Sequence, residues 1–119
     1  MKKLEKDRLI EKFMGWDLKW SNKEGERGWS FFNANENKYL HGTIYQDSTV
    51  GYTTDWNCLM KALKKFDEEV RAEFSQDLDN LLRYVELCDQ IEYAVTLYNI
   101  DDAVNALCEG IEWYNSTIN

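Results

Sequence analysis
Residues 3 to 14 set charged side chains around Leu4, Leu9, Ile10, Phe13 and Met14, and Gly15 follows directly. That spacing predicts an amphipathic helix stopped by the glycine. The period then falls to two. In "WDLKWS", Trp16, Leu18 and Trp20 alternate with Asp17, Lys19 and Ser21, which predicts a strand with one buried face. The turn residues of "NKEGERG" lead to a second strand, "WSFFN". "NANEN" is another turn, and "KYLHGTIYQ" reads as a third strand interrupted by Gly42. Three such runs on short polar links predict an antiparallel meander.

From Trp56 the helical period returns. Trp56, Leu59, Met60, Leu63, Phe66 and Val70 fall on one helical face, with lysines and acids over much of the rest. In "GYTTDWNCLMKAL", Thr54 or Asp55 is placed to cap this helix, its side-chain oxygen meeting a free backbone N–H. Asp55 also suits the positive end of the helix dipole. A third helix is expected within 76–98, on the seam Leu81, Tyr84, Cys88, Ile91, Val95 and Tyr98. A fourth repeats the pattern at Ile100, Val104, Leu107, Ile111, Tyr114 and Ile118, with Asn99 or Asp101 as its cap. The two form an antiparallel hairpin. A competing reading makes "YAVTLYN" a strand, because Val95, Thr96 and Tyr98 favour extended backbone.

Composition narrows the picture. A length of 119 residues, 44% of them hydrophobic, fits one domain with one core. Proline is absent, so glycine, Asn, Asp and Ser must end every element. No apolar run approaches the roughly 18 residues of a membrane span. "MKKLEKDRLIEKF" has neither the continuous apolar stretch nor the cleavage site of a signal peptide, so a cytoplasmic protein is expected. Net charge is -8, and the first twelve residues oppose the trend with five cations against three acids. Such a surface repels a phosphate backbone, which argues against nucleic-acid binding.

Candidate chemistry is sparse. Cys58, Cys88 and Cys108 are odd in number, form no CxxC and sit in helical patterns, so free thiols are expected and a zinc site is not. A cysteine nucleophile needs a base within reach, and the sole histidine, His41, shares no motif with Cys58. No glycine-rich phosphate loop, HExxH or paired-carboxylate motif is present. The surface feature with most to offer is Trp113 beside Gly110. On a helical wheel Trp113 points about 200° from Ile111, and Gly110 has no side chain to cover the neighbouring surface. An aromatic beside bare backbone is a docking spot for another chain, unless the N-terminal helix or the sheet covers that side.

Three stretches, "LIEKFMGW" at 9–16, "WNCLMKALKKFD" at 56–67 and "DDAVNALCEGIEWYN" at 101–115, resemble in order and content a group of small proteins from gut Bacteroidetes and their phages or mobile elements. These are similar to the phage ABA-sandwich domain family, named for helices on both sides of a sheet. The resemblance covers about a third of the chain directly. The family has Trp where Cys58 stands, Pro where Lys61 stands and Phe where Gly110 stands. The resemblance implies fold and origin, and brings no catalytic residues with it.

The reading is therefore one α+β domain over 1–119: an N-terminal helix, a three-stranded antiparallel meander, then three helices packed on the sheet. The expected function is that of a non-enzymatic phage or mobile-element accessory protein that binds another protein. No cofactor, metal, nucleic acid or membrane is expected. The alternatives are an enzyme whose site has no motif, and an acidic mimic of nucleic acid.

Overall fold
The computed structural model describes residues 1–22, 24–25, 27–40 and 44–119. Helix α1, Lys3–Phe13, ends as its sequence requires. Met14 keeps a right-handed backbone, and Gly15 turns to φ +91° and donates its N–H to the Lys12 carbonyl at 3.1 Å. A Cβ at Gly15 would also strike the Asn35 side-chain amide.

Strands β1 (Trp16–Ser21), β2 (Gly28–Asn33) and β3 (Lys38–Leu40) form the antiparallel meander in sequence order. Trp16 pairs with Asn33, Leu18 with Phe31 and Trp20 with Trp29, so these six side chains share a face. Burial fades along it: Trp16 and Phe31 are buried, whereas Trp20 is 57% exposed. The expectation of one buried strand face thus fails at Trp20. There an indole pair, Trp20 edge-on to Trp29 at 5.4 Å, covers apolar area instead of a helix.

The turn between β2 and β3 is organised by buried Asn33, whose Oδ1 accepts from the N–H groups of Asn35 and Glu36, both at 3.0 Å. Its amide donates to the Met14 carbonyl at 3.1 Å, so one side chain ties the hairpin to the end of α1. The third strand is shorter than expected. Its continuation over 41–43, with Gly42 and His41, lies outside the described residues, and Tyr45 and Gln46 are not part of a strand. Ser48 captures Tyr45 on both sides: the Ser48 N–H donates to the Tyr45 carbonyl at 3.0 Å, and the Tyr45 N–H to the Ser48 hydroxyl at 2.8 Å.

Three helices follow: α2 (Trp56–Glu73), α3 (Leu78–Thr96) and α4 (Ile100–Ile118). Asp55 rather than Thr54 caps α2, accepting from the Asn57 and Cys58 N–H groups at 2.8 and 3.4 Å. Asn99 rather than Asp101 caps α4, accepting from Asp102 N–H at 3.1 Å. The strand reading of "YAVTLYN" does not hold: 93–96 are helical and the chain reverses through Leu97 and Tyr98. Tyr98 has φ +54° and is 85% exposed, so it lies outside the α3 seam that was expected to include it. Met60 likewise leaves the α2 stripe and is exposed, while Leu59, Ala62, Phe66 and Val70 are buried. Leu81 and Ile91 are only half-buried, so truncating either costs less than for a fully enclosed leucine.

The helices converge on Phe66, which is fully buried. Its ring meets Phe13 of α1 at 5.8 Å, Tyr84 of α3 at 5.7 Å and Tyr114 of α4 at 6.4 Å, all edge-on. Polar bonds extend the α2–α3 contact: the Tyr84 hydroxyl donates to Asp67 Oδ1 at 2.6 Å, and Arg71 Nε donates to the same oxygen at 2.8 Å. Burial pushes the Asp67 carboxyl up, but these two donors outweigh it and hold it below the ordinary aspartate value. Helix α1 packs against both β1 and α4 and so joins the sheet to the bundle, and α2 faces the sheet across a cleft.

Gly110 sets how closely the bundle closes. A Cβ there would lie 2.6 Å from Leu87 Cδ2 and 2.7 Å from Phe66 Cζ. Gly110→Ala should gain about 1 kcal/mol of helix propensity but incur about 2–3 kcal/mol of overpacking, the upper part of the usual range because three atoms lie within 3.0 Å of the new Cβ, for a net loss of about 1–2 kcal/mol. Urea unfolding measures it as a lowered midpoint at unchanged slope; a midpoint equal to or above wild type refutes the close contact.

Candidate functional site
Gly110 and Trp113 do not form the exposed pair suggested by the wheel. Gly110 is buried under Leu87 and Phe66, so the bare backbone patch expected there is absent. Trp113 is half-buried, with its ring against Phe74 at 5.4 Å and 46°. The wheel set Trp113 about 200° from Ile111 and read Gly110 only as a missing side chain beside it. It could not show that α4 packs against α1, α2 and α3 together, which covers more than one side of it.

Cys58 is half-buried on α2, and its thiol points to the Val50 carbonyl at 3.9 Å. Burial, then the nearby Asp55 carboxylate, push its pKa up, which favours the neutral thiol over the nucleophilic thiolate. The Cys58–His41 pairing cannot be placed, since His41 lies outside the described residues. All three cysteines are free thiols, and burial pushes Cys108 up to about 11. Among the described residues no three His, Cys, Asp or Glu side chains converge as a metal set. No described helix is long and apolar enough to cross a membrane.

The sequence pattern missed two buried acids on α1. Asp7 and Glu11 read as ordinary polar positions, yet they are 1% and 3% exposed. Their spacing of four puts them on one helical face, the only sequence signal available. Thr53 Oγ1 donates to Asp7 Oδ2 at 2.9 Å. Val50 N–H donates to Glu11 Oε2 at 2.9 Å, and Arg8 Nη1 to Glu11 Oε1 at 2.7 Å. Arg8 Nη2 also reaches the Gln46 carbonyl at 2.8 Å. The connection from β3 to α2 is therefore strapped onto α1 at Gln46, Val50 and Thr53. A broad trough of about 1320 Å³ runs between α1, β1 and this strap, with Arg8 and Glu11 in its wall, but both are already committed to the chain.

The outward face of α3 has the opposite character. Leu78, Leu82, Val85 and Tyr93 are 69%, 57%, 55% and 69% exposed. At 100° per residue they fall within an arc of about 80°. Asp79, Glu86, Asp89 and Glu92 border or interrupt this stripe, and the one cation of the helix, Arg83, is paired with Glu86 at 3.3 Å. An apolar stripe at helical spacing with acidic borders is built to receive a second helix rather than a small molecule.

Burial raises the Glu11 carboxyl above its ordinary value, the donations from Val50 and Arg8 opposing it without cancelling it. The folded state therefore holds this proton to higher pH than the unfolded chain does. Its contribution to stability is full below the unfolded value and is lost as pH rises through the folded one. Stability of Glu11→Gln, measured by denaturation across that window, should lack this fall; an unchanged slope would assign the dependence to another group. Comparison of the chain with protein-family models, with curated proteins and with solved structures returned no match.

Proposed function
We propose that this chain is a non-enzymatic accessory protein of a phage or mobile element that acts by binding another protein, with the outward face of α3 as its contact. The three-stretch sequence resemblance supports the origin. The observation that carries the binding role is the stripe of Leu78, Leu82, Val85 and Tyr93, each more than half exposed on one face of one helix. Exposure on that scale is unfavourable in an isolated monomer unless something covers it.

Charge selects the occupant. Helix α3 carries Asp79, Glu86, Asp89 and Glu92 against Arg83 alone. A second copy laid on the same face would set these carboxylates against one another. A partner helix with an apolar stripe and lysine or arginine flanks answers both features at once.

The test uses a helical Leu/Lys amphipathic peptide and a scrambled peptide of the same composition. Wild type should bind the amphipathic peptide more tightly than the scramble. The Leu82→Glu, Val85→Glu double variant should lose that preference while its stability shifts by no more than about 0.5 kcal/mol per site, because both side chains are exposed. Equal binding by the variant overturns the proposal. So does a wild-type dimer in sedimentation that dissociates on making the same two changes.

A further inference from the structure
We infer that the cleft between α2 and the sheet is a binding site for a small organic anion: a carboxylate or phosphate monoester on a compact apolar body. The cleft encloses about 480 Å³, within the ordinary range of about 300–1,000 Å³ for ligand pockets. Its mouth is cationic although the whole chain is at -8: Lys38, Lys61, Lys64 and Lys65 line it against only Glu36 and Glu68. Two of these cations are engaged, Lys38 with Glu36 at 3.0 Å and Lys65 with Glu69 at 2.9 Å. Among the described residues no ion pair engages Lys61 or Lys64, which lie one helical turn apart on α2.

The wall beneath is built rather than incidental. Trp16, Tyr52 and Asn33 all line the cleft and are all buried. Trp16 Nε1 donates to the Tyr52 hydroxyl at 2.9 Å, which fixes the phenol in place. Among the described residues that hydroxyl has no acceptor for its own proton. Burial pushes its pKa up to about 12, so it remains a donor at any working pH. A buried donor normally finds an acceptor. Tyr52 and its partner Trp16 both line the cleft, and the free ammonium groups at its mouth favour an anionic oxygen as that acceptor. Leu40 and Val50, both half-buried in the same wall, supply the apolar surface that inorganic phosphate alone would leave unused.

The site is separate from the α3 face, so the two proposals stand or fall independently. The probes are phenyl phosphate and benzoate, with benzyl alcohol and inorganic phosphate as controls, read by amide chemical shifts and calorimetry. Phenyl phosphate or benzoate should shift resonances of Trp16, Tyr52 and Cys58. It should bind more tightly than either control and protect Cys58 from alkylation. Lys61→Gln with Lys64→Gln, both exposed positions, should weaken binding by at least about tenfold, the loss of one charge-assisted contact. Tyr52→Phe should weaken it further, and Leu82→Glu should leave it unchanged. If neither organic anion shifts the cleft resonances, the inference fails. It also fails if inorganic phosphate binds as well as both, or if the lysine variant binds equally.

Discussion

The close approach of Gly110 to Phe66 and Leu87 is the constraint on which the bundle depends. Any side chain at 110 would hold α4 away from α2 and α3, since the space above its Cα is already filled. With that space free, one phenyl ring touches aromatic partners on three other helices. Edge-on aromatic contacts add about 0.5–1.5 kcal/mol each beyond burial, so a single hub ring couples the helices energetically. The cost is a glycine in a helix interior, about 1 kcal/mol, which burial of the aromatic cluster exceeds.

A second constraint governs the long connection from β3 to α2. Over its described residues 44–55 it has little regular structure, so the backbone donors there need partners elsewhere. Helix α1 supplies them from its buried face, where Glu11 meets Val50 and Asp7 meets Thr53. Arg8 offsets part of the charge burial by bonding Glu11 while it also holds Gln46. Burying carboxylates is costly unless they are satisfied, and Glu11 is satisfied at both oxygens. Asp7 is satisfied at one only; among the described residues its Oδ1 has no partner. The strap also carries Tyr52, so the bonds that order it position one wall of the α2 cleft.

Local structure was legible because its causes are local. Gly15 ends α1 through a backbone geometry that glycine permits, and Asp55 and Asn99 cap their helices through their own neighbours' N–H groups. The meander and the helical reading of 93–96 followed from periodicity alone. Four expectations that needed partners outside the segment were not met. Trp20 alternates correctly but is exposed, Met60 fits the α2 stripe but faces out, Tyr98 falls outside the α3 seam, and the third strand does not include Tyr45, which Ser48 holds in a turn.

Helix α3 shows where the division falls. Its sequence is apolar on two sides, and the seam of Leu81, Tyr84, Cys88, Ile91 and Val95 marks the side that meets the core, while Tyr98 falls outside it. The structure buries Tyr84, Leu87 and Ala94 and leaves Leu78, Leu82 and Val85 in solvent. Gly110 was read from the wheel as bare surface and is instead a close contact, because the position of a third helix is not written in the spacing of the fourth. The buried acids of α1 follow the same rule: their periodicity marks a shared face, and only the strap folding back makes that face interior. The sequence by itself determined the elements and their order, and narrowed the caps of α2 and α4 to two residues each, since those depend on residues within a turn of one another. Tertiary structure decided how fully each face is covered, which carboxylates are buried and where the clefts open. Those outcomes depend on elements that are distant along the chain and meet only after folding.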